Sequence, residues 1–280
     1  MLTHWAEEQH EFAYSKQDFE KVRRHLIKLT GIKLADSKDA MVYSRLVRRV
    51  RILQLGSIAE YLDYMLQHPV EDEHFINALT TNLTSFFREP HHFDILEHCL
   101  KEASGAIRIW CAAASTGEEP YSIAMTVAKV FGRFDTNVEI IASDVNSDVL
   151  ETAQQGVYPE SRVQSLEMDW KKQFFHKGKG RRAGMVKVVP ELRQMIEFKK
   201  INLLDADWPI TSPIDIIFCR NVMIYFDRET QIHLLSRMVK LLSPDGLYVA
   251  GHSENFSHLA HLVTGVGKTT YKSTIFNGLK

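Results

Sequence analysis

The sequence predicts an α/β doubly wound parallel sheet with a small inserted β subdomain, preceded by an all-helical N-terminal domain. Three observations carry this. Up to a division near residues 85–92, the apolar residues recur only at helical spacings of three and four. After Pro90, short buried-strand runs alternate with helical runs, the pattern of βαβ units. Between Ser161 and Lys200 that rhythm breaks, and Gly178, Gly180 and Gly184 flank short β-like stretches. We place the helical domain at residues 1–82, a linker at 83–92, and the α/β domain at 93–280, with its β insertion at about 161–195.

In chain order, residues 18–30 carry Phe19, Val22, Leu26 and Leu29 on one helical face, and Gly31 stops the helix. Residues 38–55 carry Val42, Leu46, Val50 and Leu53, with Gly56 as the stop. Residues 58–66 and 73–79 are two more helical stretches. Strand runs then fall at 107–112, 138–142, 196–200, 214–219 and 247–251, and helical runs at 121–130, 147–155 and 228–242. In the insertion, residues 173–176 and 185–189 are β-like. Pro244-Asp245-Gly246 reads as a turn into a last strand pair.

Composition narrows the classes. Of the 280 residues 45% are apolar and 25% charged, which supports a packed core and argues against disorder. The net charge of −1 argues against a general nucleic-acid binder, which would show excess Lys and Arg. No charge-free apolar run approaches the ~18 residues of a membrane span. Residues 1–10 hold Glu7 and Glu8 and lack the apolar centre of a signal peptide. Cys99, Cys111 and Cys219 are odd in number and widely spaced, so a reducing cytoplasm is expected. His91 and His92 lack partners at ligand spacing, so no metal is expected. Charge is uneven: residues 15–56 hold eleven Lys/Arg against four acids, which points to a local acidic partner.

In open α/β sheets, ligands bind beyond the carboxyl ends of the strands. After the first strand comes Ala113-Ala114-Ser115-Thr116-Gly117-Glu118-Glu119-Pro120. One glycine and two acids do not suit a dinucleotide pyrophosphate, but they suit a ligand with an ammonium and a sulfonium. A plain helix start with acids favouring the dipole is the other reading. The second strand ends at Asp144, placed to accept from ribose hydroxyls or to cap the next helix. Asn202 and Leu203 follow the third strand, and are either an adenine contact or a turn. The fourth strand runs into Arg220-Asn221-Val222-Met223-Ile224-Tyr225 in place of the Asn/Asp-Pro-Pro-Tyr of many amine methylases. Together these edges match a class I S-adenosylmethionine (SAM) methyltransferase.

The linker reads Thr81-Asn82-Leu83-Thr84-Ser85-Phe86-Phe87-Arg88-Glu89, an aromatic pair that would pack near the site beside an arginine able to clamp a carboxylate. An interdomain hinge is the alternative. TNLTSFFRE, AAASTGEEPYS, ASDV, INLL, FCRNVMIYFD and PDGLYVAGHSE, in this order, resemble the CheR family of chemotaxis receptor glutamate methyltransferases. The resemblance runs from about Asp18 nearly to the C-terminus. It implies SAM as methyl donor, with S-adenosylhomocysteine as product and no metal. It places Asn82, Thr84, Arg88, Glu119, Asp144, Asn202, Leu203, Arg220 and Asn221 around SAM, with Arg88 and Tyr225 nearest the methyl transfer.

The chemistry fits this resemblance. Glutamate, with an unperturbed pKa of about 4.3, is already ionised at neutral pH, so no general base is required. The partners implied are the cytoplasmic helices of methyl-accepting receptors. They would meet Arg45, Arg48 and Arg49, which share a helix face opposite Val42, Leu46 and Val50. The insertion carries seven Lys/Arg against two acids over residues 167–187; the resemblance implies a subdomain that in some members, not all, captures a receptor C-terminal tail by strand addition. A cytoplasmic monomer without nucleic-acid contact is expected. The alternatives are a carboxyl methyltransferase for another protein and a non-catalytic SAM-binding signalling module.

Overall fold

A computed structural model describes residues 11–275. Residues 1–10, read above as no signal peptide, lie outside them. The chain divides into two compact units, with the boundary between Thr80 and Thr81.

The first unit is helical. Helix α1 (Lys16–Thr30) opens with a reciprocal capping box: the Asp18 backbone N–H donates to the Ser15 hydroxyl, and the Asp18 carboxylate accepts the Ser15 backbone N–H. It closes on Gly31 at φ 73°. Helices α2 (Asp39–Ile52), α3 (Ile58–Gln67, capped by Ser57) and α4 (Glu71–Leu79) complete it. Phe19, Val22, Leu26, Val42, Leu46, Val50, Ile58, Tyr61 and Phe75 form its core.

The basic face expected on α2 is largely turned to internal use. Arg49 donates Nε and Nη2 to the two oxygens of Glu71 at 2.7 and 2.8 Å, and the Tyr61 hydroxyl donates to the same carboxylate at 2.9 Å. Arg45 donates Nη1 to the carbonyls of Ala78 and Thr80 at 3.1 and 2.6 Å, closing the end of α4. Of the three arginines, only Arg48 is exposed. The physical reason is that α4 leaves carbonyls and a buried acid within reach of this side of α2. Glu71→Gln therefore lowers stability by about 3 kcal/mol, because it strands a half-buried guanidinium. Arg48→Glu stays within about 0.5 kcal/mol, as exposed sites do. Urea unfolding of the two variants checks both.

The second unit is the sheet domain. Helix α5 (His91–Glu102), which the sequence reading left unassigned, buries Phe93, Leu96 and Leu100. Then come β1 (Ile107–Cys111), α6 (Glu118–Phe131), β2 (Val138–Asp144) and α7 (Ser147–Gln155). Every residue of α6 from Glu118 to Ala128 is buried, so this helix is enclosed on all sides. The insertion follows: β3 (Val157–Pro159), α8 (Met168–Phe174), β4 (Phe175–Lys177) and β5 (Met185–Val188) make an antiparallel sheet in the order β3-β5-β4. It begins before the expected residue 161, and Gln173 and Phe174 end α8 instead of entering a strand.

After α9 (Pro190–Gln194), the strands β6 (Ile196–Lys200) and β7 (Ile214–Cys219), helix α10 (Arg228–Leu241), and strands β8 (Leu242–Ala250), β9 (Val263–Gly267) and β10 (Thr270–Ser273) complete the chain. The large sheet runs β6-β2-β1-β7-β8-β10-β9. Strands β6 to β8 are mutually parallel, and β10 joins antiparallel to β8. Pro244-Asp245-Gly246 lies within β8 at a register shift: Ile214 pairs with Leu242 and Ile216 with Leu247, so residues 243–246 leave the ladder before the strand resumes. From β1 the chain steps to β2 on one side, and later to β7 on the other. The order reverses there, so the carboxyl ends of β1, β2 and β7 frame the binding crevice of this sheet type.

Candidate active site

The segment leaving β1 turns twice through left-handed backbone, at Ser115 (φ 49°) and Gly117 (φ 98°). A Cβ on Gly117 would stand 2.8 Å from both the Ala153 methyl and the Tyr158 hydroxyl, so only glycine fits. Asp144, at the end of β2, holds this turn: its carboxylate accepts the Ser115 N–H at 2.9 Å and the Asn146 N–H at 3.0 Å. The cap of α7 is Asn146, which accepts from the Val149 N–H. The capping alternative for Asp144 is thereby removed. A carboxylate offers about four acceptor sites, so these backbone N–H groups leave Asp144 further acceptor capacity. Burial pushes its carboxyl above the usual range, against the pull of these backbone N–H groups.

Glu118 and Glu119 have separate partners. Buried Glu118 receives Arg162 at 2.5 Å and the Thr116 hydroxyl at 2.6 Å. Glu119, expected among the residues around SAM, pairs with Arg220 through one oxygen and accepts the Cys111 thiol at 3.3 Å through the other. Arg220, fully buried at the end of β7, also lies 3.2 Å from Glu89 and donates to the Arg88 carbonyl. It thus ties the linker to the sheet.

The linker is anchored further. Phe86 is buried edge-on against Tyr158 and Phe175, and Phe87 meets Phe93 and Trp170. The Phe87 N–H donates to the Ser122 hydroxyl at 2.9 Å. Phe87, Glu89 and Asn221 all adopt positive φ (51°, 58° and 58°) without being glycine. Such strain persists where neighbours over-determine the backbone, and it concentrates at functional sites.

Two acids that the sequence reading did not single out do this holding. Glu89 accepts the His252 N–H at 3.1 Å and the Asn221 side-chain amide at 3.4 Å. Glu254 accepts the N–H groups of Gly251, Asn221 and Met223 at 2.6, 3.0 and 2.8 Å, and so fixes the loop after β7. Both end motifs quoted above, TNLTSFFRE and PDGLYVAGHSE, which was the available signal. A Cβ on Gly251 would fall 2.3 Å from the Asn221 amide nitrogen and 2.7 Å from its backbone nitrogen. Gly251→Ala therefore costs about 1–3 kcal/mol by overpacking. It also loosens the Arg220–Tyr225 loop, lowering methyl transfer more than SAM affinity; thermal unfolding and calorimetry check this.

The remaining expected residues lie around this frame. The Asn82 carbonyl accepts the Ser115 hydroxyl at 3.1 Å. Thr84 is half-buried. Arg88 is half-buried, and its guanidinium makes one hydrogen bond among the described residues, to the Leu83 carbonyl at 3.0 Å. Tyr225 is half-exposed, and its hydroxyl has no partner among the described residues. Asn202 accepts the Leu204 N–H at 3.0 Å in a local turn, and Leu203 is buried. This turn follows β6, whose Lys200 pairs in register with Asp144, so it reaches the same sheet edge.

The turn at Glu89 also brings a third candidate ligand to His91 and His92, with one ligand atom of each within 4.8 Å of the others. The charges there oppose a cation. Arg220 already lies against the Glu89 carboxylate. Burial, aided by Arg220 and His91, lowers the His92 pKa to about 3, so Arg220 and not the imidazole is the positive charge of this cluster. His92 instead shares a hydrogen bond with the Thr269 hydroxyl at 2.8 Å.

Comparison with known proteins agrees with this geometry. Residues 17–80 match the family described as CheR methyltransferase, all-alpha domain, and residues 82–272 match CheR methyltransferase, SAM binding domain. The chain is 56% identical to chemotaxis protein methyltransferase 2 of Pseudomonas aeruginosa, over 93% of this chain and 94% of that protein. It is 47% identical to the chemotaxis protein methyltransferase of Escherichia coli, over 92% and 91%. A two-unit chain whose sheet edge carries Asp144, Glu119 and Arg220, and which matches both domains in order, belongs to the CheR methyltransferase family.

Proposed function

We propose that this chain methylates glutamate side chains of methyl-accepting chemotaxis receptors, with SAM as donor, giving glutamate methyl esters. The observation that carries the reading is the contrast at the sheet edge. Arg220 and Glu119 neutralise one another in the interior, whereas Arg88 and Tyr225, on the two segments that Arg220 and Glu254 fix, keep polar groups free for a ligand.

The residues present fit SAM. Asp144 retains acceptor capacity for ribose hydroxyls, the turn at Ser115–Gly117 allows close backbone approach, and Asn202 and Leu203 border the place for an adenine. Asn82 and Thr84 would close the side of the linker, and Asn221 that of β7. When bound, SAM supplies a sulfonium-activated methyl group. A glutamate acceptor is ionised at neutral pH, so the chain has no proton to remove, and its work is positioning and excluding water. The Arg88 guanidinium steers a carboxylate, and the Tyr225 hydroxyl donates to one. Glu119 acts through Arg220 by holding the linker in place.

Arg48 is the α2 arginine left to meet an acidic partner. The short antiparallel sheet leaves β4 as an edge, within the basic stretch 167–187, for a receptor tail. No helix among the described residues is long and apolar enough to cross a membrane, which suits action on the cytoplasmic part of a receptor.

The test is transfer from methyl-labelled SAM to receptor-containing membranes, with label released as methanol by mild base. Base-labile label on the receptor supports the reading. SAM binding without such label removes the glutamate substrate and favours another acceptor or a signalling role.

A further inference from the structure

Between α1 and α3 the first unit carries a cleft of about 370 Å³. Its floor is Leu62 and Met65, and Leu66 beside them is 75% exposed. Its rim on α1 is Lys21, Arg24 and Lys28, all exposed. Three other arginines of this unit have acids: Arg23 pairs with Asp36, Arg49 with Glu71 and Arg51 with Glu11. Lys21, Arg24 and Lys28 have no acidic partner among the described residues, and Arg24 makes one bond, to the Glu20 carbonyl. His25, in the same cleft, is taken by Asp72 at 2.9 Å, and Asp63 is the one acid in the lining.

The spacing selects the occupant. Lys21 to Lys28 spans two helical turns, about 10 Å of axis, with a cation on each turn. On α3, Leu66 is the exposed apolar residue, one turn from buried Leu62 and next to buried Met65. A basic row beside an exposed leucine matches an amphipathic helix whose acids recur once per turn beside its apolar stripe. We infer that this cleft docks a glutamate-bearing helix of the methyl-accepting partner. The identity of the partner rests on the function proposed above.

The test uses the full chain and its Lys21→Glu/Arg24→Glu/Lys28→Glu variant. All three sites are exposed, so the variant folds, and circular dichroism with SAM calorimetry confirms this. Co-sedimentation with receptor-bearing membranes reads docking without catalysis, and KM for those membranes reads it during turnover. Charge reversal is expected to weaken co-sedimentation and raise KM at least ten-fold at low salt, with SAM affinity unchanged and the gap narrowing at high salt. Leu66→Asp is expected to act in the same direction with little salt dependence. Equal co-sedimentation of variant and wild type overturns the inference, as does equal binding of wild type to receptor-free membranes, which would indicate an acidic lipid surface. If the wild type docks in a charge-dependent way yet leaves no methyl ester, the cleft stands and the proposed reaction falls.

Discussion

Arg220→Ala is expected to abolish measurable methyl transfer and to lower stability by about 3–5 kcal/mol, the cost of breaking a buried ion pair from one side. The guanidinium is fully buried between Glu119 and Glu89 and also caps the Arg88 carbonyl. Its removal leaves two carboxylates and a carbonyl without their donor, and frees the linker that carries Arg88. Arg220→Lys is expected to keep most of the stability but little of the activity, because one ammonium cannot span both acids in the planar fork geometry. The acid limb of stability supplies a second signature. Burial pushes Glu89 up, but the His252 N–H and Arg220 more than offset it, so its folded pKa lies below the ordinary value. Its contribution is therefore present above the unfolded pKa and is lost as pH falls through the folded one. In Arg220→Ala that acid-limb contribution shrinks. Chemical unfolding at several pH values, with a methylation assay, checks all three outcomes. Wild-type stability in Arg220→Ala would mean that the buried pair is not the tie between linker and sheet.

What the sequence disclosed and what it hid divide along physical lines. Periodicity placed Val42, Leu46 and Val50 inside α2, because a helical face depends only on spacing along one element. It could not show that Arg49 meets Glu71, because that pair joins residues of two helices. Alternation of strands and helices gave the parallel sheet and the loops at its edge, where Asp144 and the Ser115–Gly117 turn do lie together. The role of Glu119 was less legible: an acid in such a loop reads as a ligand contact, and only β7 brings Arg220 to neutralise it. Glu89 and Glu254 went unmarked because their work is to accept backbone N–H groups distant in sequence. Helix α5 carried a legible pattern, Phe93, Leu96 and Leu100, but followed directly on the linker and was absorbed into that transition. The strained backbone at Phe87 has no sequence signal, since an aromatic residue ordinarily avoids positive φ, whereas Asn221 is a type that adopts it more readily.

Asp144→Ala is expected to weaken SAM binding by ten- to a hundred-fold or more, since a hydrogen bond to a charged acceptor contributes about 1.5–3 kcal/mol. Alanine also releases the Ser115 N–H, so part of its loss reflects a loosened turn. Asp144→Asn separates the two effects. Its side-chain carbonyl still accepts one backbone N–H and the shape is kept, but the charge and one acceptor oxygen are gone. Asparagine is therefore expected to leave the melting temperature within a few degrees while affinity for SAM still falls. The pH dependence gives an independent check. Burial raises the folded pKa of Asp144, so the acid takes up its proton at a higher pH than an exposed aspartate. Protonation turns one acceptor oxygen into a donor, so wild-type affinity declines as pH falls through that raised pKa. The same shift makes deprotonation a cost to the fold, so stability drops slightly as pH rises through it. In Asp144→Asn both trends vanish. Calorimetric titration of SAM into wild type and Asp144→Asn across the mildly acidic range decides the matter. Equal affinities and parallel pH curves would remove Asp144 from the binding site and leave it the structural task of joining β1 to β2.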